Sequence, residues 1–464
     1  MTGGSLSELL SRRAASGNPL RAGLIGAGKF GTMFLSQARR VPGLQVLGVA
    51  DLSRERAREG LRRAEWPEEQ FGAKGFAQAL KEGSTCVTED SEALIRADGL
   101  EVVVDATGDP AAGIGHALKA FESGRHIVMV NVEADALAGP LLAGRAAGAG
   151  VVYSLAYGDQ PALICELVEW ARLCGFDVVC AGKGTKYLPV YHRSTPDTVW
   201  EHFGYSPEMV AKGGFNPRMF NSFLDGTKSA IEMAAVANAT GLRPQPEGLG
   251  FPPCGVDDLQ HVCRPRGDGG QLAHRGTVEV VSSLERDGRP VHRDLRCGVY
   301  VTLEAPRDYI RRCFAEYGLV TDSTGRYAAV YRPYHLVGME LTISVLKAGL
   351  RGEATGCPAG FIADVVATAK RHLAAGETLD GEGGYSVYGR LTPAEEALRS
   401  GLLPMGLAHG VRLRREVGEG GPVRWADVEV DETALAVRVR REMEQRITDH
   451  GSRITNHEKN RRNE

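Results

Sequence analysis

The sequence has no run approaching the ~20 uncharged apolar residues that cross a bilayer, so no membrane span is expected. It carries little net charge. At −3, it gives no global attraction to nucleic acid or to an anionic membrane surface. The nine cysteines contain no CxxC and are odd in number and irregularly spaced. That pattern excludes a zinc-ribbon spacing and a disulfide framework, and predicts reduced thiols in a cytoplasm. The opening stretch, MTGGSLSELLSRRAASGNPLRAG, lacks the apolar core of a secretory signal. A Walker-type phosphate loop is also missing. CAGKGTKYLP would need Gly where Asp177 stands and Ser or Thr where Gly184 stands.

What is present is a globular composition, with 43% hydrophobic and 24% charged residues over 464 positions, long enough for two or three domains. The 59 glycines predict many turns and close backbone approaches. The strongest motif is AGLIGAGKFG, where an apolar run enters Gly26-Ala27-Gly28-Lys29-Phe30-Gly31 and a helix-compatible stretch, TMFLSQARRV, follows. Glycines there allow a tight strand-to-helix turn, backbone approach to a pyrophosphate and close helix packing. The helix N-terminus offers N–H groups and a positive dipole end. A second strand, LQVLGVA, ends in Asp51, placed to bind the adenosine ribose hydroxyls. Asp51 favours NAD, whereas Arg54 and Arg56 leave NADP open. A third strand, LEVVVDATG, brings Thr107 and Gly108 to the nicotinamide side, because ligands of parallel sheets bind beyond the carboxyl ends of strands. Strands and helices alternate throughout, which predicts an α/β fold with a Rossmann-type parallel sheet.

Candidate chemistry lies further along. Glu133 and Asp135 follow the strand HIVMVNV, where they could bind a divalent cation such as magnesium or manganese, act as acid and base, or, for Asp135, cap a helix. Lys183 and Lys186 border glycines at the end of the strand-like FDVVCA, a place for the anionic or hydroxylated end of a substrate; the plain alternative is a basic turn in solvent. In NSFLDGTKSAIEMAAVANATG a helix is expected from Asp225 or Thr227 onward, with Asp225 as cap. Lys228 and Glu232 stand four apart on one face of it, on an otherwise nearly uncharged stretch, which predicts a partly buried pair and a lysine whose pKa burial lowers. Tyr157, Asp159, Asp257, Asp258 and His335 are weaker candidates, each with an ordinary structural role as the alternative.

The strings VNVEADALAGPLL, YSLAYGDQPALICELVEWAR, AGKGTKYLP, NSFLDGTKSAIEMAAVANATG, FPPCGVDDL and YRPYHLVGMEL occur in that order. Together they resemble the deoxyxylulose phosphate reductoisomerase-like oxidoreductases, over residues from about 20 to about 445. The resemblance implies a homoserine-dehydrogenase-like α+β catalytic domain after the Rossmann domain, and a small β-rich SAF domain after that. In homoserine dehydrogenases a lysine follows the asparagine of the crossover strand; acids stand there in this sequence, so its role is not carried over. Those enzymes also carry an Asp and a Lys four apart on the matching helix, here in reversed order as Lys228 and Glu232. Neither the Asn-Lys-Glu nor the Asp-Ser-Glu-His signature of true reductoisomerases is present, so their metal ligands are not transferred.

The expected organisation is an N-terminal extension (1–18), an NAD(P)-binding domain (19–156), a catalytic domain (157–368), a SAF domain (369–445) and a disordered or loosely helical tail (446–464). The expected activity is NAD(P)-dependent oxidation or reduction of a small polyhydroxylated compound that could be phosphorylated, in a cytoplasmic homo-oligomer. One alternative, again implied by the resemblance, is reductoisomerisation of deoxyxylulose phosphate in isoprenoid biosynthesis. Another is a non-catalytic cofactor-binding sensor or scaffold.

Overall fold

A computed structural model of the chain describes residues 4–213 and 215–461. The first sheet has six strands: β1 (Leu20–Ile25), β2 (Leu44–Ala50), β3 (Cys86–Thr88), β4 (Val102–Asp105), β5 (His126–Met129) and β6 (Tyr153–Leu155). All are parallel, in the order β3-β2-β1-β4-β5-β6. Their near-continuous apolar runs follow from burial of both faces, as parallel crossover sheets require. On one face Leu20, Leu24, Val49 and Val104 pack against Phe34, Leu35 and Leu61 of helices Lys29–Ala38 and Arg54–Arg63. On the other, Ile25, Leu47, Val103 and Met129 meet Ile114 and Ala138 of helices Pro110–Glu122 and Val132–Gly148. The fold is α/β with a Rossmann-type sheet.

The second sheet comprises β7 (Asp177–Thr185), β8 (Thr277–Ser282), β9 (Val299–Glu304) and β10 (Tyr327–Arg332), ordered β10-β9-β7-β8. Only β7 and β8 run parallel. One face, with Ala181, Val280 and Val301, is covered by Ile164 and Val168 of helix Gln160–Leu173 and by Ala234 of helix Thr227–Thr240. The same buried helix also supports the C-terminal β unit. That unit holds β11 (Ala363–Ala369), β12 (Thr378–Asp380), β13 (Val387–Pro393), β14 (His409–Leu413) and β15 (Val428–Glu429), in two small antiparallel sheets, β11-β13 and β12-β14-β15. All nine cysteines are unpaired. Among the described residues no helix is long and apolar enough to cross a membrane.

Chain order and spatial grouping differ at three places. Leu10, in helix Leu6–Ala15 of the expected extension, is buried in the core of the first sheet. Helix Thr342–Arg351, grouped by sequence with the catalytic domain, returns to that sheet and buries Val345 and Leu346 against it. The helix Leu435–Arg461 begins inside the expected SAF domain, and its backbone runs through the expected disordered tail as far as Arg461. Its Val439 and Met443 pack on the face covered by helices Pro110–Glu122 and Val132–Gly148. The cause is shared: the sheet's apolar area exceeds what its own crossover helices cover, and segments before and after it in the chain supply the remainder.

Candidate functional site

The glycine loop has the form a dinucleotide needs. Gly26 has φ +96°, and a Cβ there would lie 2.7 Å from the Ala106 carbonyl oxygen. A Cβ on Gly31 would lie 2.2 Å from the Gly26 oxygen, so the helix can meet the strand only at a glycine. Gly28, by contrast, faces open space and starts helix Lys29–Ala38 with no side-chain cap. The first N–H groups of Lys29, Phe30 and Gly31 are thereby left for a phosphate. Asp51 is buried. Its Oδ2 accepts from Ala27 N at 2.8 Å, which holds the loop, and its Oδ1 accepts from Arg56 Nε at 2.7 Å. Asp105, at the end of β4, accepts from Thr107 N (2.9 Å) and Thr107 Oγ1 (2.7 Å), while its second oxygen meets His116 Nδ1 at 2.7 Å. This fixes Thr107 and the open, left-handed Gly108 (φ +72°) beyond the sheet's carboxyl edge.

A second concavity opens at the end of β7. It is a cavity of about 220 Å³ lined on its polar side by Gln160, Lys183, Lys186, Glu232, Arg296 and His335. Phe203, Tyr205, Phe220 and Phe223 form an aromatic wall. Two contacts set this cavity beside the glycine loop and its helix. The segment 333–340 carries His335 into the cavity and packs Gly338 on Phe30 and Met33 of helix Lys29–Ala38. From the aromatic side, Lys29 Nζ lies 5.9 Å from the ring centre of Phe215, which itself packs against Tyr205 and Phe220.

Lys183 is 6% exposed, with Nζ donating to Gln160 Oε1 at 2.9 Å and to Glu232 Oε2. Lys186 donates to the His202 carbonyl oxygen at 2.5 Å and sits over Phe203. Burial, and then the neighbouring Arg296, lower its pKa. Asp159 caps helix Gln160–Leu173, accepting from Gln160 N at 2.9 Å. Burial and the nearby Glu232 push its carboxyl up to about 6, against the opposing pull of Lys228 and His335.

The structure rearranges several residues singled out by sequence. Lys228 and Glu232 do not pair: Glu232 turns to Lys183, and Lys228 Nζ donates to Glu133 Oε1. Burial favours the neutral form of Lys228, but Glu133, Glu232, Asp159 and Glu382 outweigh it and raise its pKa, opposite to the lowering expected. Lys228 stands behind the cavity, not on its wall. Asp225 is fully buried in an ion pair with Lys370 at 2.7 Å. The helix start it was expected to cap is formed by Gly226 at φ +90°, while an Asp225 oxygen still accepts from Thr227 N at 2.9 Å. Asp135 is no cap either. Asn131 caps that helix, and Asp135 accepts from the Tyr153 hydroxyl at 2.9 Å inside the core. Burial pushes its carboxyl up to about 7, despite the Tyr153 hydrogen bond.

Glu133 and Asp135 therefore diverge, as successive odd positions on a helix do. Among the described residues no group of three or more His, Cys, Asp or Glu side chains is arranged for a metal ion, so the donor set does not fit the magnesium or manganese considered from sequence. Asp257 pairs with Arg293 at 3.3 Å, away from the cavity. His335 does line it, with Nδ1 2.7 Å from the Cys297 carbonyl oxygen. Gln160, Arg296 and the aromatic wall were not anticipated. The density of Trp, Phe and Tyr between positions 200 and 223 was the available signal; Gln160 and Arg296 had none.

Residues 158–341 match the family model described as "Oxidoreductase DRL, catalytic domain", the stretch that contains the cavity. The match covers about two fifths of the chain. Solved structures similar to this chain include a myo-inositol dehydrogenase from Lactobacillus casei in complex with NAD(H) and myo-inositol, 16% identical with TM-score 0.28, covering 40% of this chain and 52% of that one. A 3-ketoreductase from Actinomadura kijaniata in complex with NADP is 16% identical with TM-score 0.26, covering 36% and 50%. A dipicolinate-bound dihydrodipicolinate reductase from Paenisporosarcina is 12% identical with TM-score 0.33, covering 72% and 97%. The chain thus spans about half the length of the first two. No curated protein matches it.

Proposed function

We propose that this protein is an oxidoreductase that interconverts a carbonyl and a hydroxyl group on a small hydroxylated compound that also bears an anionic group, with NADP as its preferred cofactor. The observation that carries this reading is the charge pattern of the cavity. Lys183 is tied to Glu232, but Lys186 and Arg296 line the mouth with no carboxylate partner among the described residues. Two converging cations without a counter-charge suit a phosphate or carboxylate. The aromatic wall suits the apolar faces of a short carbon skeleton.

Bound at the glycine loop, the dinucleotide would supply or take the hydride. Lys183 would then deliver its Nζ proton to the reacting oxygen as it becomes a hydroxyl, and recover it from solvent through the cavity mouth. Gln160 and Glu232 hold the ammonium in place for that transfer. NADP is favoured because Asp51 spends both oxygens inward, on Ala27 N and on Arg56, while the Arg56 side chain remains 54% exposed at the rim. A 2′-phosphate would meet a guanidinium there, not a free carboxylate.

The test is turnover with NADPH and NADH against paired phosphorylated, carboxylated and neutral hydroxycarbonyl compounds. Lys186→Met with Arg296→Met should raise KM for the anionic members by ~10–100-fold, the value of one or two charge-assisted hydrogen bonds, and leave neutral analogues unchanged. Equal losses on charged and neutral substrates would remove the anion site from the reading.

A further inference from the structure

Glu382 belongs to the C-terminal β unit, in a tight loop between β12 and β13 that is bolted to the catalytic unit. A Cβ on Gly383 would lie 1.9 Å from the Arg218 carbonyl oxygen, so the loop lies directly on helix Pro217–Leu224. Asn221 Nδ2 donates to the Gly383 oxygen at 3.0 Å, and Lys370 Nζ donates to the Gly384 oxygen at 2.7 Å. Arg218 donates to the Asp380 oxygen, and Thr227 Oγ1 accepts from Gly389 N at 2.8 Å. Held by these bonds, the Glu382 carboxylate accepts from Ser222 Oγ and lies within electrostatic reach of Glu133, Lys228 and Asp225.

We infer that Glu382 is a positioning residue of the oxidoreductase site, through which the C-terminal β unit sets the charge behind the Lys183–Glu232 pair. The inference rests on the proposed role of Lys183 as proton donor. Two ammonium groups, Lys183 and Lys228, face four carboxylates, Glu133, Asp159, Glu232 and Glu382. With all six ionised the cluster, in which Glu133, Lys228 and Glu382 are partly buried and the others buried, would carry two uncompensated negative charges, which a water-poor site disfavours. It sheds them by keeping protons. Asp159, on the cavity side, is one of the carboxyls pushed up. Glu382 is the other: burial and then Glu133 move it up to about 7, against Lys228 and the Ser222 hydroxyl. Asp225 also raises it, although Lys370 neutralises much of that charge, and Arg218 lies over the neighbouring Asp380.

The consequence has a sign. As pH rises through neutrality, Glu382 ionises and its negative charge helps keep the proton on the donor side of the cluster. Glu382→Gln preserves shape and the Ser222 contact but removes that charge. In the full-length, NADPH-loaded enzyme, the alkaline limb of the reductive kcat/KM profile should move down by roughly one pH unit, the size of one charge acting across a buried cluster. KM for NADPH should not change, and Glu382→Asp should restore the limb. An infrared titration of protonated carboxyls between about pH 5 and 9 should lose one neutral-range step in Glu382→Gln. If Glu382→Gln does not fold, Ser222→Ala carries the test: without its hydroxyl Glu382 stays protonated longer, and the limb moves the same way by less. A limb that stays in place in these variants, or a carboxyl titration identical to wild type in Glu382→Gln, overturns the inference. An active Lys183→Met enzyme would instead overturn the donor assignment, and the carboxyl titration would not detect it.

Discussion

Replacing Lys183 by Met separates catalysis from stability in one experiment. The ammonium is 6% exposed and Glu232 is 4% exposed, so the substitution would leave a carboxylate buried without its counter-charge. Breaking a buried pair from one side costs about 3–5 kcal/mol, most of it from the stranded partner. Loss of the proton donor should lower kcat by a further, separate factor of ~10²–10⁴. Adding Glu232→Gln removes the stranded charge, so the double variant should regain most of the lost stability while its turnover stays as low as that of Lys183→Met. Urea unfolding gives the first quantity and NADPH consumption the second. A double variant that recovers both would mean that Lys183 serves only to neutralise Glu232. A single variant with near-normal kcat would remove Lys183 from the chemistry altogether.

Arg56→Ala should weaken NADPH binding by ~10–100-fold while leaving NADH within a few-fold, as loss of one or two charge-assisted contacts to the 2′-phosphate requires. Fluorescence titration with both cofactors reads this, and equal effects would return Asp51 to the ribose. Asp135→Asn should stabilise the protein increasingly as pH rises. The folded carboxyl titrates near 7 and the unfolded one near 3.8, so the native state holds the extra proton between those values. Wild-type stability therefore falls as pH rises through that window and is flat above it. The whole fall is about 4 kcal/mol at most, because the two titrations lie roughly three pH units apart. Denaturation midpoints at mildly acidic and mildly alkaline pH check the sign; a variant advantage that shrinks as pH rises refutes it.

The dinucleotide sheet was legible because its signals are local. Gly31 is demanded by the Gly26 oxygen five residues earlier, and the apolar runs of β1, β2 and β4 record burial on both faces. The Lys183 and Lys186 segment lies at a strand end, a position readable from the same kind of local signal. Partner identity was not legible. The i,i+4 spacing of Lys228 and Glu232 permits a pair on an isolated helix, but tertiary packing offers each a better-placed opposite charge, Glu133 and Lys183. A spacing rule cannot see a carboxylate that lies 95 residues away along the chain.

The same limit applies to the chain's later segments, which pack on the first sheet. Helix Thr342–Arg351 shows only that one of its faces is apolar, and Val345 finds its partners in β strands more than two hundred residues earlier. That return has a functional result. The turn leading into it carries His335 to the cavity and Gly338 onto Phe30 and Met33, so the helix that completes the first sheet also draws the cavity against the glycine-loop helix. Helix Leu435–Arg461 does the equivalent for the C-terminal unit. Its Arg440, 1% exposed, holds Asp364 at the start of β11 and the Leu137 carbonyl oxygen on the dinucleotide side. Glycine loop, β7 and C-terminal β unit are therefore fixed to one another by segments far from them in sequence order. A side chain such as Glu382 can reach the site because of that bracing.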